Sequence, residues 1–190
     1  MPTVAIVYHS GFGHTEAVAR SVAEGLGQVS GVKASLIKTS ELPSPGADKT
    51  LGGRWAELAA ADAIVFGTPT YMGSVSADFK RFMDASAGPW FKQAWKDKLA
   101  AGFTNSGSPS GDKLNTLVTL AVFAGQHSMV WVSQGIFNDG QNNRLGGWLG
   151  YMSQSDNAPA DQTPPPQDHA TARAFGQRVG IAAVRWAKGA

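Results

Sequence analysis

The chain alternates between short runs of continuous apolar residues and longer stretches in which apolar residues recur every three or four positions. Continuous runs bounded by Gly, Ser, Thr or Pro predict strands buried on both faces, and the 3.6-residue period predicts helices with one buried side. Val4–Tyr8 is the first such strand, and Thr15–Val29 follows as a helix with Val18, Val22 and Leu26 on one side. Val32–Lys38 predicts a second strand, Ser40–Gly53 a Pro/Gly/Ser loop, and Arg54–Ala61 a short helix. Ala63–Gly67 predicts a third strand, and Ser76–Ala87 a helix with Phe79, Phe82 and Met83 on one face. Leu99–Thr104 reads as a fourth strand, Leu114–Ala124 as a helix and Met129–Val132 as a fifth strand. Residues 133–167 are rich in Gly, Asn, Gln and Pro and read as loop; His169–Ala187 reads as the closing helix.

Strands alternating with helices predict an α/β fold. The expectation is a doubly wound parallel sheet of five strands, order 2-1-3-4-5, with helices on both faces and one domain over residues 1–190. Such sheets bind ligands beyond the carboxyl ends of their strands, where the strand order reverses. The loops richest in Gly, Ser, Thr and Asn follow strands one, three and four, so all three are expected on one edge.

The first loop is the most informative. Ser10-Gly11-Phe12-Gly13-His14-Thr15 joins a buried strand directly to a helix. The first amides of a helix lack intrahelical acceptors and sit in the positive end of its dipole, so a small glycine-containing loop there cradles an anion. A Walker loop requires a lysine that is missing here, and Glu16 stands where a dinucleotide fingerprint places its third glycine. The loop therefore suits a single phosphate, the alternative being an ordinary helix cap by Ser10 or Thr15. The second loop, Thr68-Pro69-Thr70-Tyr71-Met72-Gly73, offers backbone amides and an aromatic ring, or is a plain proline turn. The third, Asn105-Ser106-Gly107-Ser108-Pro109-Ser110-Gly111, offers small donors but no serine-hydrolase elbow, because the central residue of Gly107-Ser108-Pro109-Ser110-Gly111 is proline. Trp90, after Gly88-Pro89, is a packing anchor or a site wall, and His127 a surface or capping residue or a site residue.

Composition narrows the chemistry. A chain of 190 residues with a formal net charge of +2 and no Lys/Arg block argues against nucleic acid. The absence of cysteine excludes disulfides, thiolate metal sites and cysteine nucleophiles. Four scattered histidines give no metal-ligand spacing. Neither a leader pattern nor an apolar run long enough to span a bilayer is visible, so the expected location is cytoplasmic.

Taken together, Ser10–Thr15 resembles the phosphate loop of the flavodoxin superfamily, whose pattern is Ser/Thr-x-x-Gly-x-Thr. Phe66-Gly67-Thr68-Pro69-Thr70, Gly88-Pro89-Trp90 and Gln126-His127-Ser128-Met129 narrow the resemblance to WrbA-type NAD(P)H:quinone oxidoreductases. That resemblance, over about residues 3–135, implies a flavodoxin-like fold, FMN as cofactor, NADH or NADPH as donor, a quinone as acceptor and a homo-oligomer, dimer or tetramer. It implies that Ser10, Gly11, Phe12, Gly13, His14 and Thr15 hold the phosphate, with Phe12 near the nicotinamide. It implies that Pro69, Thr70, Tyr71, Met72 and Gly73 contact the ring and ribityl chain, and that Asn105, Ser106, Gly107, Ser108 and Ser110 line the ring edge. Trp90 would wall the substrate side, and Gln126 or His127, the latter preferred, would face the flavin; His127, whose ordinary titration lies near neutral pH, would be a candidate proton donor. The chain departs from the family at Tyr71, where arginine is usual, at Pro109, and at the first of two adjacent histidines, here Gln126. A single-electron carrier and a cofactor-free scaffold of the same fold remain the alternatives.

Overall fold

A computed structural model describes residues 1–46 and 51–189. Residues 47–50 of the expected Ser40–Gly53 loop lie outside the described residues. Four strands form the parallel centre: β1 (Thr3–Tyr8), β2 (Lys33–Lys38), β3 (Ala63–Tyr71) and β5 (Leu99–Ser106). Ile6 stands opposite Leu36 of β2 on one side and Val65 of β3 on the other, and Val65 in turn faces Ala101 of β5. With β6 (Val130–Trp131) at the far edge, the order β2-β1-β3-β5-β6 is the expected doubly wound one, with the reversal at β1 and β3.

Because the strands are continuously apolar, alternate residues feed two cores. Val4, Ile6 and Val65 pack under α1 (His14–Gly27) and α6 (Pro166–Lys188). Ala5, Val7 and Phe66 pack under α2 (Trp55–Ala60), α3 (Ala77–Ala85) and α5 (Lys113–Gln126). The α1–α6 contact is made through glycines: a Cβ on Gly25 would stand 1.9 Å from the Arg173 carbonyl oxygen, and one on Gly176 2.1 Å from that of Val22.

The structure differs from the sequence reading in three places that matter. β3 runs past Gly67 through Pro69 to Tyr71, then turns at Met72-Gly73 into the two-residue strand β4 (Ser74–Val75). Both turn residues have positive φ, 47° and 79°, which suits the right-handed twist of a tight hairpin. Residues 133–167 are not all loop. The fifth strand position is shared by β6 (Val130–Trp131), beside Leu99, and β7 (Tyr151–Gln154), beside Phe103 to Ser106. The chain between them leaves the sheet edge and returns, so among the described residues the five expected strands stand in the expected order and β4 and β7 are added to them. Finally, the helix expected over Ser76–Ala87 ends at Ala85, and a separate turn of helix, α4 (Ala87–Phe91), carries Trp90. Among the described residues no helix is long and apolar enough to cross a membrane.

Candidate functional site

The carboxyl ends of β1, β3, β5 and β7 open into one cleft of about 250 Å³, lined by Ser10, Gly11, Phe12, His14, Thr15, Pro69, Thr70, Tyr71, Asn105, Ser106 and Gly107. All three expected loops contribute. A fourth segment, Ser155-Asp156-Asn157, lines it as well and was missed by sequence reasoning. It follows β7, whose four residues are too short and too polar to announce a strand; the Ser/Asp/Asn run was the available signal.

At the first loop, Gly13 takes φ 91° and starts α1; Ser10 takes the Glu16 amide, and the His14 and Thr15 amides keep donors for a ligand. Ser10 Oγ accepts from Glu16 N–H at 3.2 Å, and His14 Nε2 meets the Ala158 carbonyl at 2.8 Å, tying this loop to the segment beyond β7. Tyr71 folds across Gly11: its hydroxyl oxygen lies 2.6 Å from where a Cβ would stand, so a larger residue there would displace the Tyr71 ring. Phe12 is 78% exposed and meets the Tyr71 ring edge-on at 6.5 Å, giving the cleft an apolar mouth. Met72 lies fully exposed at the hairpin tip, and Gly73 accepts a hydrogen bond from Asn115; neither lines the cleft.

Beneath the floor, Thr70 Oγ1 lies 2.8 Å from both Thr104 Oγ1 and Thr116 Oγ1. The Ser153 and Ser155 hydroxyls donate to Asn105 Oδ1 at 2.8 and 3.0 Å, which leaves the Asn105 amide N–H groups for a ligand. The third loop curls over a fully buried lysine: Lys113 Nζ donates to Ser106 Oγ at 2.8 Å and to the Ser108 carbonyl at 2.6 Å. Burial lowers its pKa to about 8, against the attraction of Asp168. Ser108 and Ser110 are exposed on the outer side of this loop rather than in the cleft.

Trp90, Gln126 and His127 are not brought to this cleft within one chain, which corrects the expectation for all three. Helix α5 begins at the carboxyl edge, and its 14 residues carry the chain about 21 Å back across the sheet. Its end therefore lies beside the start of β5: Asp97 N–H, two residues before Leu99, donates to the Ser128 carbonyl. His127 is 1% exposed, its ring 4.2 Å from that of Trp95 and 4.8 Å from that of Phe123. The Ser86 hydroxyl donates to the Met83 carbonyl, so His127 Nε2–H donates to Ser86 Oγ at 3.0 Å and Nδ1 has no partner. Burial lowers its pKa to about 4, so it is a neutral core residue and neither a surface group nor a proton donor at neutral pH. Its place could have been read from Leu117, Leu120, Ala124 and His127, which share one helical face. Gln126 is exposed at the same end, and Trp90 is 43% exposed on α4.

The residues of the cleft fit FMN, the expected cofactor: the His14 and Thr15 amides at a helix start for a phosphate, an aromatic mouth, and amide donors from Asn105 for polar ring atoms. Comparison with known proteins points the same way. The family model of NADPH-dependent FMN reductases matches residues 6–144. Flavodoxin FldP of Pseudomonas aeruginosa (strain UCBPP-PA14) is 38% identical over 186 residues, covering 94% of this chain and 95% of its own. The NAD(P)H dehydrogenase (quinone) of Geobacter sulfurreducens is 36% identical over 142 residues, 68% of this chain and 70% of its own. The crystal structure of a flavodoxin, WrbA-like protein from Agrobacterium tumefaciens superposes with a TM-score of 0.72 at 41% identity, covering 97% of this chain and 99% of that one.

Proposed function

The chain belongs to the family of NADPH-dependent FMN reductases, and from that premise we propose that it reduces a quinone with NADH or NADPH through bound FMN. The observation that carries this reading is the convergence of four loops on one cleft, the helix start at Gly13 at one end and the Phe12–Tyr71 mouth at the other. When bound, FMN supplies the redox chemistry, taking a hydride from the nicotinamide and passing two electrons to an acceptor that gains two protons to become a quinol. The chain's own residues bind and orient. The amides after Gly13, with Ser10 and Thr15, hold the phosphate; Thr70, Tyr71 and Asn105 to Gly107 flank the ring. Phe12 and Tyr71 give flat donor and acceptor rings an apolar surface. His127 is walled off from the cleft, so protons for the acceptor come from water at the open mouth. On this reading the chain works in the cytoplasm, where reduced nicotinamide is supplied.

We further propose a homo-oligomer. Leu114, Val118 and Val122 form an exposed apolar row along α5, each four residues from the next. In such an assembly the exposed Trp90 can wall only the cleft of a second copy.

The test is an FMN titration of the purified protein followed by steady-state NADH and NADPH oxidation with benzoquinone. Saturable binding at micromolar FMN and turnover with at least one nicotinamide are expected. No binding at that concentration would reject both redox readings. A second reading, an electron carrier, is favoured by the likeness to flavodoxin FldP over nearly the whole chain. Failure of both nicotinamides to bleach bound flavin under anaerobic conditions would establish it instead.

A further inference from the structure

Lys113 stands out among the charged residues because it is fully buried and, among the described residues, its ammonium group bonds only to neutral oxygens, those of Ser106 and Ser108. The chain is bent to place it there. Gly111 and Asp112 both take left-handed backbone, φ 55° and 54°, and Lys113 N–H closes the turn on the Ser110 carbonyl at 3.1 Å. The first residue of α5 is thereby turned back beneath its own preceding loop. Its ammonium group joins Ser106 and Ser108, while Ser106 Oγ also donates to the Ser108 carbonyl at 3.0 Å. The nearby carboxylate of Asp168 is already engaged by Arg144, with contacts of 2.6 and 3.0 Å, and by the Gln154 amide. A buried cation with only neutral acceptors is costly, and an apolar side chain of the same length would cost less. The fold alone therefore gives no reason for a lysine.

We infer that Lys113 is a positioning residue: it fixes Ser106 to Ser108 in the arrangement that receives the flavin ring, at the expense of stability. The inference rests on the FMN reading given above. The groups acting on its charge are Asp168 of α6, which favours the ammonium, and Arg144 of the excursion between β6 and β7, which opposes it.

The experiment compares wild type, Lys113→Met and Ser106→Ala. Lys113→Met should melt at the same temperature or higher, yet bind FMN about tenfold more weakly, the loss expected when a hydrogen bond to a charged group is removed. Ser106→Ala, which keeps the lysine and removes one acceptor, should weaken FMN in the same direction. Wild-type affinity should decline from pH 7 to 9.5 as the ammonium is lost, while that of Lys113→Met stays flat. Backbone amide exchange over Asn105–Gly111 should quicken in Lys113→Met without cofactor, a readout that stands even where FMN is not bound. Wild type that fails to bind FMN overturns the functional reading. Wild type that binds, with Lys113→Met binding equally well or melting much lower, overturns the positioning role alone. Unchanged amide exchange overturns it in either case.

Discussion

Two aromatic groups sit at opposite edges of the same sheet and obey opposite rules. At the amino edge, Phe66, Phe82, Trp95, Phe123 and His127 are buried and packed ring on ring, with centroids 4.2 to 6.5 Å apart. At the carboxyl edge, Phe12 and Tyr71 meet only each other and face solvent. The rings of the first group are packed against one another without a ligand. The second holds apolar surface in water at a place where polar donors also converge, which is the condition of a binding site. A ring is thus assigned a role by whether its faces are already packed, and by that measure the His127 ring belongs to the core even though its Nδ1 has no partner. The comparison separates stability from binding, and variants at the two edges should move different quantities.

The largest effect is expected at the amino edge. Trp95 is almost wholly buried and touches Phe66, Phe82, Phe123 and His127. Trp95→Ala should lower the unfolding free energy by about 3–5 kcal/mol, as large-to-small changes in packed cores do. The affinity of the folded fraction for FMN should change by less than about twofold, since distant sites act independently. Urea unfolding and an FMN titration read the two quantities. A loss of FMN affinity in protein that remains folded would join the two edges and break the comparison.

The titration of His127 sharpens it further. Its pKa is about 4 when folded, against an ordinary value near 6.5 in the unfolded chain. Between those values the unfolded chain binds more protons, so stability rises with pH across that window and is lost as pH falls from 6.5 towards 4. The loss attributable to this residue should be roughly 2 kcal/mol between pH 7 and pH 5. His9 and His169 are also lowered by burial and add to the slope. His127→Leu keeps those contributions and should remove only its own share. An unfolding midpoint whose pH dependence is the same in wild type and variant would contradict the neutral, unpartnered Nδ1.

Much of this was legible in the chain, and the physical reason is uneven. Residues 4–8, 63–66 and 99–103 are apolar on both faces and cannot be anything but central strands. That the first loop lines the cleft was legible because a buried strand runs through small residues straight into a helix. What failed was legibility of elements held by polar bonds. β7 alternates Tyr151 and Ser153, both buried, with Met152 and Gln154. Ser153 is polar because it holds Asn105, so the strand reads as loop. Sequence order also hid distance: Gln126 and His127 follow the third loop closely, yet a helix separates them from the site by the depth of the sheet.

The smallest expected effect is the most discriminating. Phe12 is 78% exposed and makes one aromatic contact, so Phe12→Ala should change unfolding free energy by no more than about 0.5 kcal/mol. Its backbone still shapes the phosphate loop, and FMN affinity should stay within about threefold of wild type. An aromatic stacking contact contributes about 0.5–1.5 kcal/mol, so the KM for the nicotinamide donor should rise up to about tenfold if Phe12 faces that ring. Measuring stability, FMN affinity and KM on one variant places Phe12 on a single side of the comparison. A raised KM alone makes it a wall for the redox partner. Weakened FMN with KM unchanged makes it part of the phosphate loop only, and the Phe12–Tyr71 mouth then loses its claim to the donor ring.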